Sequence, residues 1–524
     1  MNSEIFVRQT YQRKRSLLLS KIAMFAFLSA VSSGAVASNL IDAVKNQDSE
    51  ELQSLLNGGA DPNEHLADGA TALHWAVFRS ETGMVKSLIN AGADVNAVNR
   101  LGASALYIAA KSGDGDLIEL LLDQGANPNL SLKLGETPLM TASRSGSEKA
   151  VRRLITAGAD VNVIESSREQ TALMWAAAQG HVEVARALIN AGADLEARSK
   201  VRPMLMFAEA SNGGAFEQGV MEQLGGYSPL LFAARQGDVE MARLLLSSGA
   251  DIEGLAANGT SPLVIAAHSG HSKLAQMLLV SGADANSIAA GYSALHAAIL
   301  RGDLATVEAL IGHGADINVR LVRANPVQRA SEDWVLTIRL IGATPYWIAA
   351  NFRETSIMGA LVNAGADPRL TNAEVWSQPI KRADREAYTP QVVGGFETAV
   401  QAAIIGDSTR GRYYTQANPD PIGEERLALA AVIAAADQGI NLDHSSFTGA
   451  MAIHDAASRA LPSVLRELLE RGADVNSLNG EGQAPLDLAI ATAENSDFFD
   501  FIYEPSARQA VEVLKEFGAV QAEQ

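Results

Sequence analysis

The apolar residues of the chain recur at the spacing of short amphipathic helices. In residues 181–192, "HVEVARALINAG", they follow one helix face, and the segment ends at a glycine. These apolar positions are Val182, Val184, Ala185, Leu188 and Ile189. The preceding stretch, "TALMWAAAQG", begins with threonine and also ends in glycine, which is typical of a shorter helix. The pattern therefore predicts a pair of helices, followed by the polar, turn-rich stretch "ADLEARS".

The same helix-pair pattern recurs along the chain at a nearly constant interval. One landmark is a quartet that usually begins with Ser or Thr, such as "TALH" at Thr71, and the other is Gly-Ala-Asp or a close relative. The glycines of the second landmark are Gly59, Gly92, Gly125, Gly158, Gly192, Gly249, Gly282, Gly314, Gly365, Gly439, Gly472 and Gly518. The first five lie 33, 33, 33 and 34 residues apart. A fixed period of this size is typical of a solenoid, in which neighbouring units bury each other's apolar faces.

A 33-residue period with quartets such as "TPLM" resembles the ankyrin repeat, and the resemblance covers almost all of the chain. It implies an all-α ankyrin-repeat solenoid of about twelve helix-turn-helix units with β-hairpin-type loops. We expect one continuous array over 38–519, followed by a C-terminal tail at 520–524. Within each unit, the Ser or Thr can cap the first helix, and the glycine can end the second helix in the left-handed conformation.

Extra residues interrupt the period at five places. Three insertions, near 200–225, 322–341 and 373–395, fall between a Gly-Ala-Asp and the next quartet, which is the hairpin position. Two more, near 407–424 and 491–505, fall between the two helices of a unit. Insertions in a solenoid map to loops, often on the binding face.

The insertions are rich in aromatic, Met and Arg side chains, which are typical of interface cores. We expect them to contact a partner, and the residues predicted to do so are Met206, Phe207, Trp334 and Trp376. The alternative is that the insertions fold back and shield an edge of the array with their apolar residues. The two interpretations are not exclusive.

A second candidate surface is formed by the positions just before the glycine that ends each first helix. In the ankyrin repeats that the chain resembles, these positions face the concave groove. Here they hold Phe78, Arg79, Lys111, Arg144, Arg235, His268, Arg301 and Phe352. A basic row on an acidic chain can attract an acidic or extended segment of a partner protein. Lys and Arg are also common at this position in ankyrin repeats generally, which leaves a purely structural role open.

Charge and cysteine content narrow the class of partner. The formal net charge is −19, which argues against nucleic acid or an anionic membrane as the main partner. The chain has no cysteine, so disulfides, thiolate zinc sites and c-type haem attachment are excluded.

The N-terminus has the pattern of a secretory signal peptide. A basic stretch precedes the short apolar run Ile22–Val31, and Ala35-Val36-Ala37 offers a cleavage site. We expect residues 1–37 to be removed, which leaves an exported bacterial protein, periplasmic or secreted, without stable membrane insertion. An uncleaved membrane anchor is the alternative for this segment.

No catalytic motif accompanies the repeats. The sequence has no His-Glu-x-x-His, no Gly-x-Ser-x-Gly elbow and no phosphate-binding glycine-rich loop. We therefore expect a monomeric, non-catalytic scaffold that needs no metal or cofactor and binds a protein or extended peptide along the groove and the insertions. The alternatives are a secreted effector that acts on host proteins, and a small-ligand binder or enzyme whose site is built by the insertions. A polar cluster formed by the loops at 200–225 and 322–341 would favour the last of these.

Overall fold

Short helices make up most of the regular structure of this protein. The computed structural model describes residues 39–208, 218–323, 336–337, 340–372, 376–378, 391–406, 421–495 and 504–522. The predicted signal peptide lies outside these residues. The chain divides into two compact units, Met1–Ala159 and Asp160–Gln524.

The described part of the first unit contains four helix pairs, and each first helix packs on the first helix of the next pair. The pairs are α1 (Asn39–Lys45) with α2 (Ser49–Asn57), α3 (Ala72–Phe78) with α4 (Thr82–Asn90), α5 (Ala105–Ser112) with α6 (Gly115–Asp123), and α7 (Pro138–Ser145) with α8 (Glu148–Thr156).

The described part of the second unit contains eight helix pairs and two antiparallel two-stranded hairpins. Its elements are α9 (Ala172–Gln179), α10 (Val182–Asn190), β1 (Arg202–Ala208), β2 (Gln218–Leu224), α11 (Pro229–Gln236), α12 (Val239–Ser247), α13 (Pro262–His268), α14 (Ser272–Val280), α15 (Ala294–Arg301), α16 (Leu304–Gly312), α17 (Pro345–Asn351), α18 (Thr355–Asn363), β3 (Trp376–Gln378), β4 (Gln391–Gly394), α19 (Ala399–Ile405), α20 (Pro421–Ala436), α21 (Ala452–Ser458), α22 (Pro462–Glu470), α23 (Pro485–Asn495) and α24 (Glu504–Glu516). The helix pairs of the two units confirm the predicted all-α repeat fold with about twelve units. None of the helices described here is both long and apolar enough to cross a membrane.

Capping residues set the length of each first helix, as the quartets predict. The hydroxyl of Ser104 accepts a hydrogen bond from the Tyr107 N–H at 3.2 Å, and that of Thr137 accepts one from the Met140 N–H at the same distance. Gly113 then ends α5 with a φ of +72°, in the left-handed region that favours glycine. A helix of only two turns is marginal alone, so these helices depend on packing.

The core of each unit is a layer of leucines and alanines between stacked helix pairs. The quartet leucines are at most 4% exposed, and they are Leu73, Leu106, Leu139, Leu173, Leu230, Leu263, Leu295 and Leu486. The leucines of the second helices that face them are fully buried, and they include Leu88, Leu121, Leu154, Leu188, Leu245, Leu278, Leu310 and Leu361. Small alanines beside the quartet leucines let successive first helices approach closely.

In most of the described repeats, one polar side chain ties its turn to the next. The Asn96 amide donates to the Gly125 carbonyl oxygen at 3.1 Å, and its Oδ1 accepts from the Asn127 N–H at 2.7 Å. Asn286 makes the equivalent pair of bonds in the second unit, at 3.0 and 2.6 Å. We call these side chains the turn ladder, and its members are Asn63, Asn96 and Asn129 in the first unit and Asn162, Glu196, Glu253, Asn286, Asn318, Asp443 and Asn476 in the second.

The turn ladder runs unbroken past two of the insertions. Glu196 precedes the first insertion and Asp251 follows it, yet the Asp251 N–H donates to the Glu196 carboxylate at 2.8 Å. Asn318 and Asp367 flank the second insertion, and the Asp367 N–H donates to the Asn318 side chain at 3.0 Å. The stacking register therefore does not depend on the length of the inserted loop.

The base of the first insertion identifies the extra residues. In a regular unit, the Arg100 N–H donates to the previous turn and the adjacent Leu101 carbonyl oxygen accepts from the next turn. The same two roles fall to Lys200 and Gly225, which are not adjacent. Residues 201–224 are thus the inserted segment. Its described part is the β1–β2 hairpin, in which Arg202 pairs with Leu224 and Ala208 with Gln218.

A buried arginine holds the two ends of the fourth insertion. Arg353 is 8% exposed, and its guanidinium donates to the carbonyl oxygens of Ala403 at 3.1 Å and Gly406 at 2.6 Å, before the insertion. It also forms an ion pair with Glu424, in the first turn of α20. A buried charge needs such complete pairing.

Replacing Asn96 tests the turn ladder. We expect Asn96→Ala to lower the free energy of unfolding by about 2 kcal/mol, because two hydrogen bonds are lost. Asn96→Asp keeps the acceptor oxygen, which Asp443 provides at the equivalent position. It should therefore lower the free energy of unfolding by about half as much. Urea titration followed by circular dichroism measures both, and equal losses for the two variants would contradict the proposed pair of bonds.

Candidate partner-binding surface

The first helices of the first unit end in exposed side chains at the predicted positions. Phe78, the last residue of α3, is 42% exposed, and Arg79 directly after it is exposed too. Lys111 and Arg144 are exposed in the last turns of α5 and α7. Because these helices pack side by side, the four residues line one edge of the unit. Cations at these positions also complement the negative end of the helix dipole.

Lys45 extends this edge, although it is absent from the predicted contact residues. It ends α1, and its Nζ lies 4.8 Å from the centre of the Trp75 ring. The same indole meets the Phe78 ring edge-on, with ring centres 6.0 Å apart. Both contacts are favourable arrangements for aromatic rings. The sequence signal for Lys45 was its position in the last turn of a first helix. That helix, α1, begins without a quartet, so the repeat pattern did not identify it as a first helix.

Along the corresponding edge of the second unit, the side chains at the predicted positions become less exposed from α11 to α15. Arg235, in α11, is exposed. His268, in α13, is partly exposed, and its ring centre lies 6.1 Å from that of the buried Tyr292. Arg301, in α15, is partly exposed, and its Nε donates to the His268 carbonyl oxygen. This arginine therefore has a structural contact as well as an accessible surface.

The prediction that Phe352 contacts a partner is corrected by its burial. Its side chain is 6% exposed, while Leu300 and Asn351, near the ends of α15 and α17, are 0% and 7% exposed. Leu336 and Leu340, from the second insertion, are buried as well. Part of that insertion therefore packs onto the second unit, which agrees with the alternative that insertions shield apolar surface.

The first insertion presents two different faces, because side chains alternate along a strand. Met206 is 7% exposed and points inward, which corrects its predicted role as a contact residue. Leu205, the residue directly before it in β1, is 52% exposed and lies opposite Met221, which is 63% exposed. The exposed apolar side chains of the hairpin, Leu205 and Met221, therefore lie on its outer face.

Three predicted contact residues lack a described side chain. Phe207 lies in β1 and Trp376 begins β3, but only their backbones belong to the described part of the chain. Trp334 lies outside the described residues. Their part in binding stays a prediction.

Equivalent arginines fix the turns at which the first two insertions begin. Arg198 donates to the Leu255 carbonyl oxygen at 3.0 Å, and Arg320 donates to the Thr371 carbonyl oxygen at 2.9 Å. Both arginines stand six residues after the glycine of their unit. That shared position, directly before an insertion, is a sequence signal that could have identified them.

Within the described residues, the first and second insertions meet at Arg323 and Glu222. Arg323 Nη1 lies 3.2 Å from the Glu222 carboxylate, and the guanidinium also donates to the carbonyl oxygens of Asn258 at 3.2 Å and Ala290 at 3.1 Å. Burial raises the pKa of the neighbouring Tyr292 phenol well above its usual range, so it stays protonated. The guanidinium therefore holds two insertions and two turns together.

Comparison with known proteins agrees with the repeat pattern. A family model described as "Ankyrin repeats (3 copies)" matches residues 40–131, 112–199, 207–289 and 230–321, and one described as "Ankyrin repeats (many copies)" matches residues 433–489. The chain belongs to the ankyrin-repeat family. Among solved structures, the human ASB11 ankyrin repeat domain is 25% identical with a TM-score of 0.38, and the match covers 47% of this chain and 99% of that one. No curated protein matches the chain.

Ankyrin repeats serve as protein–protein interaction scaffolds, and the partner class implied for this ankyrin-repeat protein is accordingly a protein. The matching family models describe repeats and no enzyme family. Within the described residues, no group of three or more His, Cys, Asp or Glu side chains is arranged to hold a metal ion.

The quartet histidines of these ankyrin repeats are structural. His296 Nδ1 accepts from the Ser293 N–H at 3.1 Å, so Nε2 carries the hydrogen and donates to the Val319 carbonyl oxygen at 3.2 Å. Burial lowers the pKa of His296 to about 4 and also lowers the pKa values of His74 and His454. These imidazoles are neutral when the protein is folded near neutral pH.

Gln401 shows that the same bonds can be made without a titrating group. Its Oε1 accepts from the Thr398 N–H at 3.1 Å, and its Nε2 donates to the Ala450 carbonyl oxygen at 3.1 Å. The position therefore requires an acceptor and a donor on one side chain, and either residue type supplies them.

Replacing His296 with Gln should reduce the acid sensitivity of the fold. The unfolded chain binds a proton at this histidine near pH 6.5, whereas the folded protein resists protonation until about pH 4. Stability is thus fully present above pH 6.5 and is lost as the pH falls, by about 2 kcal/mol at pH 5. We expect His296→Gln to keep most of the stability at pH 7.5 and to remove that loss, measured by urea titration at both pH values. An unchanged pH dependence would show that His296 is not the responsible group.

Proposed function

We propose that this protein is an exported, non-catalytic scaffold that binds a partner protein, or an extended peptide of one, on its exposed first-helix ends and on the outer face of the β1–β2 hairpin. The observation that carries the proposal is the pair Leu205 and Met221. These side chains lie opposite each other on adjacent strands and remain more than half exposed.

An exposed apolar pair of this kind supports a docking role. Burying a Leu or Met side chain stabilises by roughly 1.5–3 kcal/mol, and the hairpin leaves two neighbouring ones in water. Val201, directly before β1, is also 48% exposed. Contiguous exposed apolar surface is typical of interaction sites.

The inner face of the hairpin supports the proposal in a different way. Met206 is buried against the protein, and the ion pair between Glu222 and Arg323 ties β2 to the second insertion. The outer face is therefore held in place before a partner arrives. Preorganisation of this kind reduces the conformational entropy that binding must otherwise remove.

The alternative function, a small-ligand binder or an enzyme, would need a site where the first two insertions meet, and the residue at that place is Arg323. Its guanidinium already donates to one carboxylate and two carbonyl oxygens. A group so engaged is better suited to holding loops than to binding a substrate, so this observation favours the scaffold.

Export is the second part of the proposal. It is supported by the basic stretch, the apolar run and the Ala-x-Ala site within residues 1–37. A periplasmic scaffold and a secreted effector that acts on host proteins share this segment, and they differ in whether the protein also leaves the envelope.

The hairpin surface is tested by the double variant Leu205→Ser/Met221→Ser. We expect it to fold as the wild type does, because both side chains face solvent, and to lose at least tenfold in the amount of partner captured from the source envelope, quantified by mass spectrometry. The matched control is Val280→Ser, since Val280 is 78% exposed at the end of α14. Equal capture by the double variant and the control would reject the hairpin as a contact surface.

N-terminal sequencing tests export. Protein recovered from its native cells should begin at Ser38, and fractionation should find it in the periplasm or the medium. Recovery of the uncleaved chain from the cytoplasm would contradict this part of the proposal.

A further inference from the structure

The sulfur chemistry of this chain belongs to methionine, since the sequence has 12 methionines and no cysteine. Most methionines of the described residues are packed inside the protein and at most 9% exposed, and these are Met84, Met140, Met174, Met206, Met241, Met277 and Met358. Met221 differs from them, because its side chain is 63% exposed. Solutes therefore reach the sulfur of Met221, whereas packing shields the sulfurs of the buried methionines.

The β1–β2 hairpin holds an accessible and a protected methionine close together. Met206 pairs with Val220, the residue directly before Met221 in β2. Because side chains alternate along a strand, Met206 lies on the inner face, where it is 7% exposed, and Met221 lies on the outer face. Met204, also on the inner face, is 37% exposed. Met221 is thus the most accessible of the three methionines described in the hairpin.

An accessible thioether reacts with a peroxide by transfer of one oxygen atom. The sulfur lone pair attacks one oxygen of hydrogen peroxide, the O–O bond breaks, and an S–O bond forms. The proton of the transferred oxygen moves to the second oxygen, which leaves as water. The sulfur is oxidised by two electrons and the peroxide is reduced by two. The product is a methionine sulfoxide, which is polar where the thioether was apolar.

Oxidation of Met221 changes the outer face of the hairpin beside Leu205. Residues directly opposite each other on antiparallel strands have Cβ atoms about 4.5–5.5 Å apart, so the sulfoxide oxygen comes close to the Leu205 side chain. Burying a polar group without a hydrogen-bond partner is unfavourable. A partner that covers Leu205 and Met221 with apolar side chains therefore binds the sulfoxide more weakly than the thioether.

We propose that Met221 is a modification site, at which oxidation by a peroxide releases the partner from the hairpin and reduction of the sulfoxide restores binding. This inference rests on the proposed scaffold function and adds regulation of the same surface. Reduction requires a dithiol, which becomes a disulfide while the sulfoxide oxygen leaves as water. Because this chain has no cysteine, the dithiol belongs to a methionine sulfoxide reductase.

Peptide mass mapping of the full chain during treatment with hydrogen peroxide tests whether Met221 is the reactive sulfur. We expect Met221 to gain oxygen about tenfold faster than Met206 or Met277, because packing excludes peroxide from the buried sulfurs. In urea that unfolds the chain, the three methionines should react at equal rates. Equal rates for Met221 and Met206 in the folded protein would overturn the inference.

Capture from the source envelope tests the effect on binding, with peroxide removed from the oxidised protein beforehand. The protein followed is the one whose capture Leu205→Ser/Met221→Ser loses. We expect oxidation to reduce its capture about tenfold and methionine sulfoxide reductase to restore it. Met221→Gln should reduce capture without oxidation, whereas Met221→Leu should bind normally and resist peroxide. The matched control is Met277→Leu, which removes a buried sulfur and should stay as sensitive to peroxide as the wild type.

Two results of the capture experiment would contradict the role of Met221. Capture could be undiminished after Met221 is oxidised, or Met221→Leu could be as sensitive to peroxide as Met277→Leu. If either occurs while Leu205→Ser/Met221→Ser still loses its partner, the scaffold function stands and only the oxidation site fails. Normal capture by that double variant would instead reject the hairpin surface, and the oxidation site with it.

Discussion

Most of the described repeats share a hydrogen bond between one polar side chain and the backbone of the following turn. Helices of two turns do not persist alone, and their leucine and alanine faces are buried only if successive pairs remain in register. The turn ladder supplies that register at the ends of the helices, where packing is least specific. Asn96 and Asn286 show the complete form with a donor and an acceptor, and Glu196 and Glu253 show that an acceptor alone suffices.

The helices were predictable because particular residue types mark where each one begins and ends. Ser104 and Thr137 cap their helices through hydroxyl groups, and Gly113 ends one in a conformation that other residues avoid. The place of the first insertion also followed from the spacing of two glycines. Local rules of this kind need no knowledge of distant residues.

The site was less predictable because its details arise from distant contacts. Neither Met206 nor Leu205 reveals which of them points inward, since shifting the strand by one residue exchanges the faces. The burial of Phe352 depends on the path of an insertion, and the contact between Glu222 and Arg323 joins residues far apart in the chain. Lys45 was not predicted as a surface residue of this edge because its helix does not begin with a quartet. The exposed ends at Phe78 and Arg79, by contrast, follow from the repeat itself.

Lys200 and Gly225 hold the base of the first insertion against neighbouring turns through their backbones: the Lys200 N–H donates to the Arg168 carbonyl oxygen, and the Gly225 carbonyl oxygen accepts from the Ala257 N–H. Selection on the stack therefore constrains these two backbone groups, together with the inward-facing Met206 and Glu222, more than the exposed residues of the hairpin. Mutations of the exposed residues within 201–224 can change the outer face of the hairpin while the repeats on either side keep their fold. The same junction is a natural graft point, at which a foreign hairpin could give this scaffold a new specificity.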